Sequence, residues 1–335
     1  MSRFPTCLVL GLALVATACG GATSEDATDA VGEEVTTTTA APASATAGPA
    51  TTTTVAIAGA EFPAIATGDN GAVEILARPE AVVSLSPTAT EILFAIDAGD
   101  QVIAADSLSD YPAEAPTTSL SAFEPNVEAI AELGPDLVVL SFDPGDVVAS
   151  FDALGIPTLV QSAALSIADT YEQMLQLGVA TGNRDAAAAT IKQMQADIDE
   201  VVATLPATDE PIGYYHELDD TYYSVASTTF IGEIYSLLGM ISIADGAADL
   251  NFGYPQLSAE FILEADPDVI LLADTMCCGQ DATTVSERPG WSNLTAIADG
   301  SIVELEDDVA SRWGPRIVDL LAEVAAILVA TSEAG

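Results

Sequence analysis

Arg312 is the side chain with the clearest capacity to bind a polar ligand. The chain holds 7 Lys and Arg residues against 51 Asp and Glu residues, so each cation is unusual. A guanidinium can donate two parallel hydrogen bonds to carboxylate, hydroxamate or amide oxygens. Asp307 and Asp308 stand a few positions before Arg312, and two interpretations follow. Arg312 either binds a ligand with Asp308 beside it, or pairs internally with these acids and fixes its loop.

A pair of adjacent cysteines, Cys277 and Cys278, follows a nearly all-apolar segment that predicts a buried strand. Side chains at the carboxyl end of such a strand face the edge where α/β proteins bind ligands. Outside the cytoplasm the pair can close a vicinal disulfide, which would form a rigid turn. In the reduced state the thiols would be soft metal ligands. We expect the disulfide turn, because oxidising surroundings disfavour free thiols.

His216 is the one histidine of the chain. Receptors for a bare divalent metal collect several His and carboxylate ligands, so a single histidine argues against a zinc or manganese site. An axial bond to the metal of a chelated ligand stays open. We expect His216 to be a hydrogen-bonded residue of the core or the cleft.

Catalytic motifs are absent from the sequence. It has no Gly-x-Ser-x-Gly elbow, no phosphate-binding loop, no dinucleotide fingerprint and no metalloprotease histidine pair. A thiol pair of Cys277 with His216 leaves an extracytoplasmic cysteine-dependent enzyme as an alternative. A structural surface lipoprotein is a third class, which would bind no ligand. We therefore expect a binding protein that is not an enzyme.

Alternating strands and helices must position these side chains. A predicted hairpin over 62–76 precedes them, and Thr88 and Glu91 have the spacing of a helix capping box. The pattern predicts an α/β fold with two Rossmann-like lobes, each with a parallel sheet, joined by one long α-helix with a ligand cleft between the lobes. The expected lobes are 61–166 and 206–335, with connecting helices over 167–205.

Two segments of the chain align with one another without gaps. Residues 126–140 and 258–272 each read as an amphipathic helix, a Pro-Asp turn and an apolar strand. Glu128 then corresponds to Glu260. The repeat indicates equivalent units in the two lobes.

The first 60 residues are predicted to be outside the globular fold. Residues 1–18 read as a signal peptide, with small residues leading to Cys19, the predicted lipidation site. Residues 19–60 are rich in Thr and Ala with few apolar residues, which predicts a disordered tether. We therefore expect an extracytoplasmic protein, anchored by a lipidated Cys19 to the outer face of the cytoplasmic membrane.

The formal charge of −44 excludes some partners. Such a field repels nucleic acid and anionic lipid, so we expect no nucleic-acid partner. The charge fits solubility in a salty medium and says nothing about the ligand.

From about Arg78 to the C-terminus the sequence resembles the periplasmic-binding family for iron–siderophore, haem and vitamin B12 complexes. The matching motifs lie in the segments 78–91, 109–112, 124–128, 135–138, 254–260 and 311–316. The resemblance implies two lobes bridged by a long helix, a ligand in the cleft, and delivery to an ABC permease and its ATPase. One glutamate on each lobe contacts permease arginines in that family, and the matching positions are Glu128 and Glu260.

The positions at the carboxyl ends of the strands and the family resemblance together predict a set of ligand-binding residues. Asp308 and Arg312 match cleft residues of cobalamin receptors. Ring-facing aromatic positions of those receptors fall on Leu108 and Ala122, and a tryptophan position becomes Tyr254. The predicted ligand-binding residues are Ser86, Thr88, Leu108, Phe123, Tyr215, Tyr223, Tyr254, Cys277, Cys278, Asp308 and Arg312.

The expected ligand is a metal chelate, with no intrinsic cofactor and no bare metal site. Because the cobalamin-type aromatics are missing, a ferric siderophore is our first expectation, and cobalamin and haem are alternatives. We expect a monomer that closes slightly around its ligand and performs no covalent chemistry.

Overall fold

A computed structural model of the protein describes residues 62–206 and 210–334. The predicted signal peptide, Cys19 and the tether lie outside the described residues. No described helix is both long enough and apolar enough to cross a membrane.

The described chain opens with the predicted hairpin. Strand β1 (Ala64–Gly68) pairs antiparallel with β2 (Gly71–Ile75), in a register that sets Gly68 opposite Gly71. The turn requires glycine at position 71, where φ is 95°. Asn70 fixes the hairpin to the body, because its amide donates to the carbonyl of Thr158 at 2.8 Å.

The first lobe contains a five-stranded sheet in which all strands are parallel, in the order β5-β4-β3-β6-β7. Its strands are β3 (Val82–Leu85), β4 (Val102–Asp106), β5 (Thr117–Leu120), β6 (Leu137–Leu140) and β7 (Thr158–Val160). Every residue of β3 and β6 is buried, as expected for a sheet covered on both faces. Helices α1 (Pro87–Ala95), α2 (Val127–Glu132) and α3 (Val147–Ala153) connect these strands.

Helix α1 begins one residue after a serine cap. The Oγ atom of Ser86 accepts a hydrogen bond from the amide of Ala89 at 3.2 Å, and Pro87 occupies the first helical position. The predicted capping box of Thr88 and Glu91 is therefore wrong. Glu91 lies inside the helix, and its carboxylate has other partners, described below.

Two helices connect the halves of the chain. Helix α4 (Ile167–Thr181) ends at Gly182, whose φ of 77° closes it in the left-handed conformation. Helix α5 (Arg184–Ala203) follows without a cap hydrogen bond. Its 20 residues give a length of about 30 Å.

The second lobe contains a four-stranded parallel sheet in the order β11-β10-β8-β9. Its strands are β8 (Ile212–Glu217), β9 (Met240–Ser242), β10 (Val269–Leu272) and β11 (Ile302–Glu304). Its helices are α6 (Phe230–Leu237), α7 (Ala259–Ala265), α8 (Thr275–Cys278), α9 (Ala282–Ser286), α10 (Thr295–Ala298), α11 (Asp307–Ser311) and α12 (Ile317–Ala334). The two parallel sheets confirm the predicted fold class.

The internal repeat places the same contacts in both lobes. In the first lobe, Asp136 Oδ2 accepts from the backbone amide of Glu80 at 2.9 Å, just before β3. In the second lobe, Asp268 Oδ2 accepts from the amide of Gly213 at 2.7 Å, in β8. Each Pro-Asp turn therefore ties its strand to the neighbouring strand.

One buried cluster extends through both lobes and the connecting helices. It includes Ile92 of α1, Met174 of α4, Met194 of α5, Tyr235 of α6 and Leu321 of α12. Apolar burial of this kind stabilises the contacts between the lobes as well as each lobe. A large rotation of one lobe against the other would open this cluster to water.

Candidate ligand-binding site

A cavity of about 320 Å³ opens between the two lobes. From the first lobe, at the carboxyl ends of β3, β4 and β6, the lining residues are Ser86, Pro87, Thr88, Ser107, Leu108, Asp110 and Ser141. From the second lobe, on α11 and just after it, they are Asp308, Ser311, Arg312 and Trp313. This is the edge of the sheet at which α/β proteins bind ligands.

The Arg312 side chain lines this cavity and contacts residues of the first lobe. Its side chain is 8% exposed, and Nη1 donates to Glu91 Oε1 of the first lobe at 2.8 Å. Nη2 donates to the carbonyl of Leu108 at 3.0 Å and to Asp110 Oδ1 at 3.1 Å. The same nitrogen lies 2.6 Å from Asp308 Oδ2. Arg312 therefore pairs with acids and also lines the cavity, and its binding of a ligand stays a prediction.

Glu91 is the centre of this ion-pair network. Its side chain is 1% exposed and also accepts from Arg316, through Nε at 2.9 Å and Nη2 at 2.6 Å. Arg316 Nη1 in turn lies 3.1 Å from Glu306 Oε2. The guanidinium carbon of Arg316 lies 4.2 Å from the ring centroid of Tyr111. A buried carboxylate with two arginine partners is a stable arrangement only while both partners remain.

Negative charge exceeds positive charge at the cavity, where Asp110 and Asp308 line it with Arg312, and in the ion-pair network that extends from it. Two arginines are bound by four carboxylates, which belong to Glu91, Asp110, Glu306 and Asp308. Burial raises the pKa of Asp308 above its usual value, the Arg312 charge opposes that rise, and Asp110 adds to it. A ligand in this cavity therefore meets an acidic surrounding.

Ser86, Thr88 and Leu108, which the sequence predicts to bind the ligand, line the cavity. Ser86 and Thr88 are 2% and 3% exposed, and the Ser86 oxygen already caps α1. Leu108 is 52% exposed and offers the cavity an apolar side chain. The cavity lining therefore combines an exposed apolar side chain with charged side chains.

Of the predicted aromatics, three reach the surface and one does not. Phe123 is 66% exposed and its ring centroid lies 5.6 Å from that of Phe142. Tyr254 is 39% exposed, and Tyr223 is half-buried and forms a β-bridge with Gln256. Tyr215 is a correction to the prediction, because its side chain is fully buried.

Tyr215 is buried because side chains alternate along β8. Its ring points into a core cluster and contacts Trp291 edge-on at 5.9 Å. His216, the next residue, points to the opposite face. Its Nδ1 lies 2.9 Å from the hydroxyl of Tyr235, and burial lowers its pKa to about 3. His216 is thus the hydrogen-bonded core residue that we predicted, and it does not face the cavity.

Cys277 and Cys278 lie on α8, which takes the place of the predicted turn. Both residues are exposed and carry free thiols, with their Sγ atoms 2.7 Å apart. The predicted disulfide turn is therefore not the form of this structure. Within the described residues, no group of three or more His, Cys, Asp or Glu side chains could hold a metal ion.

Glu128 and Glu260 occupy matching positions on the two lobes. Glu128 is exposed in the first turn of α2, which Asn126 caps, and Glu260 is exposed in the first turn of α7, which Ser258 caps. Neither carboxylate has an ion-pair partner among the salt bridges of the described residues. Two equivalent, free acids are therefore presented by the two lobes.

Sequence reasoning missed a buried ionic group in the second lobe. Arg288 donates to both carboxylate oxygens of Glu217 at 2.6 Å and stacks on the Trp291 ring at 4.7 Å. Asp274 is fully buried beside them, and burial together with the Glu217 charge raises its pKa to about 7. The scarcity of arginine was the signal that could have pointed to Arg288.

Residues 82–309 match the family model described as periplasmic binding protein. The chain belongs to this family. An uncharacterized ABC transporter substrate-binding lipoprotein, YvrC, of Bacillus subtilis is 30% identical over 79% of this chain and 85% of its own length. A cobalamin-binding protein of Halobacterium salinarum is 34% identical over 76% of this chain and 71% of its own length.

A solved structure of the periplasmic binding protein type covers most of the described residues. The vitamin B12-binding protein BtuF of Vibrio cholerae matches with a TM-score of 0.60 and 25% identity, over 76% of this chain and 99% of its own. These relatives are named for binding and not for catalysis. The expectation of a periplasmic binding protein that is not an enzyme is thereby confirmed.

Proposed function

We propose that this periplasmic binding protein is the receptor of an ABC importer and that its ligand is a corrinoid of the cobalamin type. The observation that carries the proposal is the acidic surrounding of Arg312 and Arg316. Haem, through its propionates, and catecholate siderophores are anionic and would meet repulsion there. Cobalamin carries amides at its periphery and has no carboxylate. It can therefore form hydrogen bonds in the cavity without bringing net negative charge to the acids.

The relatives support the same ligand class, since one is a cobalamin-binding protein and a structural neighbour binds vitamin B12. The exposed apolar side chain of Leu108, which lines the cavity, offers a contact to a large ring. The cobalamin-type aromatic at position 108 is replaced by leucine, which changes the shape of the face but keeps it apolar.

A ferric hydroxamate siderophore is the second candidate. Hydroxamate oxygens could accept from Arg312 once Asp110, whose side chain is 66% exposed, turns away into solvent. Haem fits less well, because its propionates would meet the acids and His216 is buried away from the cavity.

The remaining parts of the proposal concern delivery and location. Glu128 and Glu260 would dock the loaded receptor on the permease, with charge setting orientation and encounter rate. Membership of the periplasmic binding protein family supports an extracytoplasmic location. We place the lipid anchor at Cys19, as the sequence predicts, and expect a monomer.

Ligand-dependent melting of the full chain tests the proposal. We expect cyanocobalamin to raise the melting temperature, since a ligand at a hundred times its Kd adds about 2.7 kcal/mol of stability. Ferric hydroxamate, ferric catecholate and hemin serve as comparison ligands. A shift with a ferric chelate or with hemin, and none with cyanocobalamin, would overturn the assignment.

A further inference from the structure

The adjacent cysteines, Cys277 and Cys278, are two free thiols on α8, a helix that contacts α11. Helix α8, which carries Cys277 and Cys278, follows β10 and ends at Gly279, whose φ is 67°. Both cysteines and Met276 are exposed to solvent. Small-molecule reagents therefore have direct access to both thiols.

The helical backbone of α8 suits the reduced pair. Adjacent Cα atoms across a trans peptide are about 3.8 Å apart. Cysteines joined by a disulfide usually have Cα atoms about 4.4 to 6.8 Å apart. The separation of adjacent Cα atoms cannot reach this range, so the eight-membered ring that a bond between these neighbours closes is strained, and we expect its torsion angles to differ from those of α8. Oxidation of the pair is a structural change and not only a chemical one.

Helix α8 is tied to the helix that lines the cavity. The amide of Cys277 donates to Asp307 Oδ2 at 2.8 Å, and the amide of Met276 donates to Asp307 Oδ1 at 3.1 Å. The hydroxyl of Thr275 donates to the same Oδ1 at 3.0 Å. Asp307 is the first residue of α11, and Asp308 follows it at the cavity. A change in the α8 backbone would therefore alter its hydrogen bonds to α11.

We propose that Cys277 and Cys278 form a redox-active vicinal pair, whose oxidation to a disulfide breaks the α8 hydrogen bonds to Asp307. The oxidant is a disulfide of the cystine class. One thiolate attacks it, forming a mixed disulfide and releasing one small thiol. The second cysteine then displaces the other small thiol and closes the ring. Two protein S–H bonds are lost, one S–S bond forms in the protein, one S–S bond breaks in the oxidant, and two small thiols carry the hydrogens away.

The two sulfurs are close enough for the second step. Their Sγ atoms lie 2.7 Å apart, and both thiols are exposed to the oxidant. Thiolate is the attacking species in disulfide exchange, and partial burial, the Cys278 thiol and the Asp307 carboxylate raise the pKa of Cys277, which disfavours its thiolate. Whichever sulfur attacks first, the other lies beside it and can close the ring.

Mass analysis of the full chain tests for the ring. The protein is treated with cystine, alkylated, and digested with trypsin, which gives a peptide within 193–312 that carries Cys277 and Cys278 and no other cysteine. We expect a peptide that has lost two hydrogen atoms and takes up no alkylating reagent. Two alkylated cysteines, or cystine adducts on either sulfur without ring closure, would overturn the proposal.

Hydrogen exchange tests the coupling to α11. We expect the amides of Met276 and Cys277 to exchange faster in the oxidised protein, because they lose Asp307 as acceptor. A variant that carries both Cys277→Ser and Cys278→Ser should show no response to cystine. Equal exchange in oxidised and reduced protein would overturn the coupling. Neither readout uses a ligand, so failure here is distinguishable from failure of the proposed function.

Discussion

The Arg312 guanidinium and the Glu91 carboxylate join the two lobes at 2.8 Å, although 221 positions separate them in the sequence. Both side chains are almost completely buried. The contact lies directly behind the cavity that we assign to the ligand. The same ion pair therefore holds the lobes together and shapes the site.

Glu91→Gln is expected to destabilise the protein strongly. The substitution keeps the size of the side chain but leaves Arg312 and Arg316 without their shared buried carboxylate, and breaking a buried pair costs about 3 to 5 kcal/mol. Urea denaturation measures the free energy of unfolding. Glu124→Gln, at an exposed acid of the same lobe, is the control and should change little. Equal effects of the two substitutions would contradict the central role of Glu91.

Arg312→Lys is expected to weaken cyanocobalamin binding about tenfold or more. Lysine cannot reproduce the planar array of donors that fixes the cavity wall, and about 1.4 kcal/mol corresponds to a factor of ten in Kd. Arg288→Lys is the matched control, since Arg288 also pairs with a buried glutamate but away from the cavity. Calorimetric titration of both variants separates loss of affinity from loss of stability. The prediction is wrong if Arg288→Lys weakens binding as much as Arg312→Lys.

Reversing the two docking charges should impair transport and leave ligand affinity unchanged. We expect Glu128→Arg with Glu260→Arg to slow cobalamin uptake by vesicles that contain the permease and its ATPase, because like charges would then face each other. Glu132→Arg with Glu264→Arg reverses exposed acids on the same two helices and serves as the control. Equal uptake by the two double variants would remove Glu128 and Glu260 from the docking surface.

Asp274 is expected to make stability depend on pH. Burial and the Glu217 charge raise the pKa of Asp274 in the folded protein from the usual 3.8 to about 7, so between these pH values the folded state holds a proton that the unfolded state has released. Stability from this group is therefore present in acid and is lost as pH rises towards 7. Asp274→Asn should remove that loss. The free energy of unfolding of the variant should therefore rise relative to that of the wild type between about pH 5 and about pH 8. Denaturation curves at both pH values test this, and parallel behaviour of the two proteins would contradict it.

The sequence was sufficient for the long elements of the fold. The predicted repeat segments 126–140 and 258–272 contain α2 with β6 and α7 with β10, and helices α4 and α5 lie within 167–205. Strands β5 and β9 and helices α8 to α11 have three to five residues each, and elements so short carry too little periodicity to be predicted.

The ionic part of the site was less accessible to sequence reasoning. The scarcity of arginine points to Arg312 from the sequence alone, whereas the local pattern around Glu91 favours a capping box. Its true partners, Arg312 and Arg316, are more than 200 positions away, and only the folded chain brings them together. Tyr215 was misplaced because the position of a residue in a strand does not by itself say which face its side chain takes.

The buried cluster shared by α1, α4, α5, α6 and α12 has a consequence for how the protein melts. Neither lobe keeps a complete core without the other, so the body should unfold in a single cooperative transition and not as two separable halves. A scanning calorimeter would record one heat-absorption peak for this region. Ligand bound at the interlobe cavity would then move that whole peak, because its binding energy is shared by every part that unfolds with it.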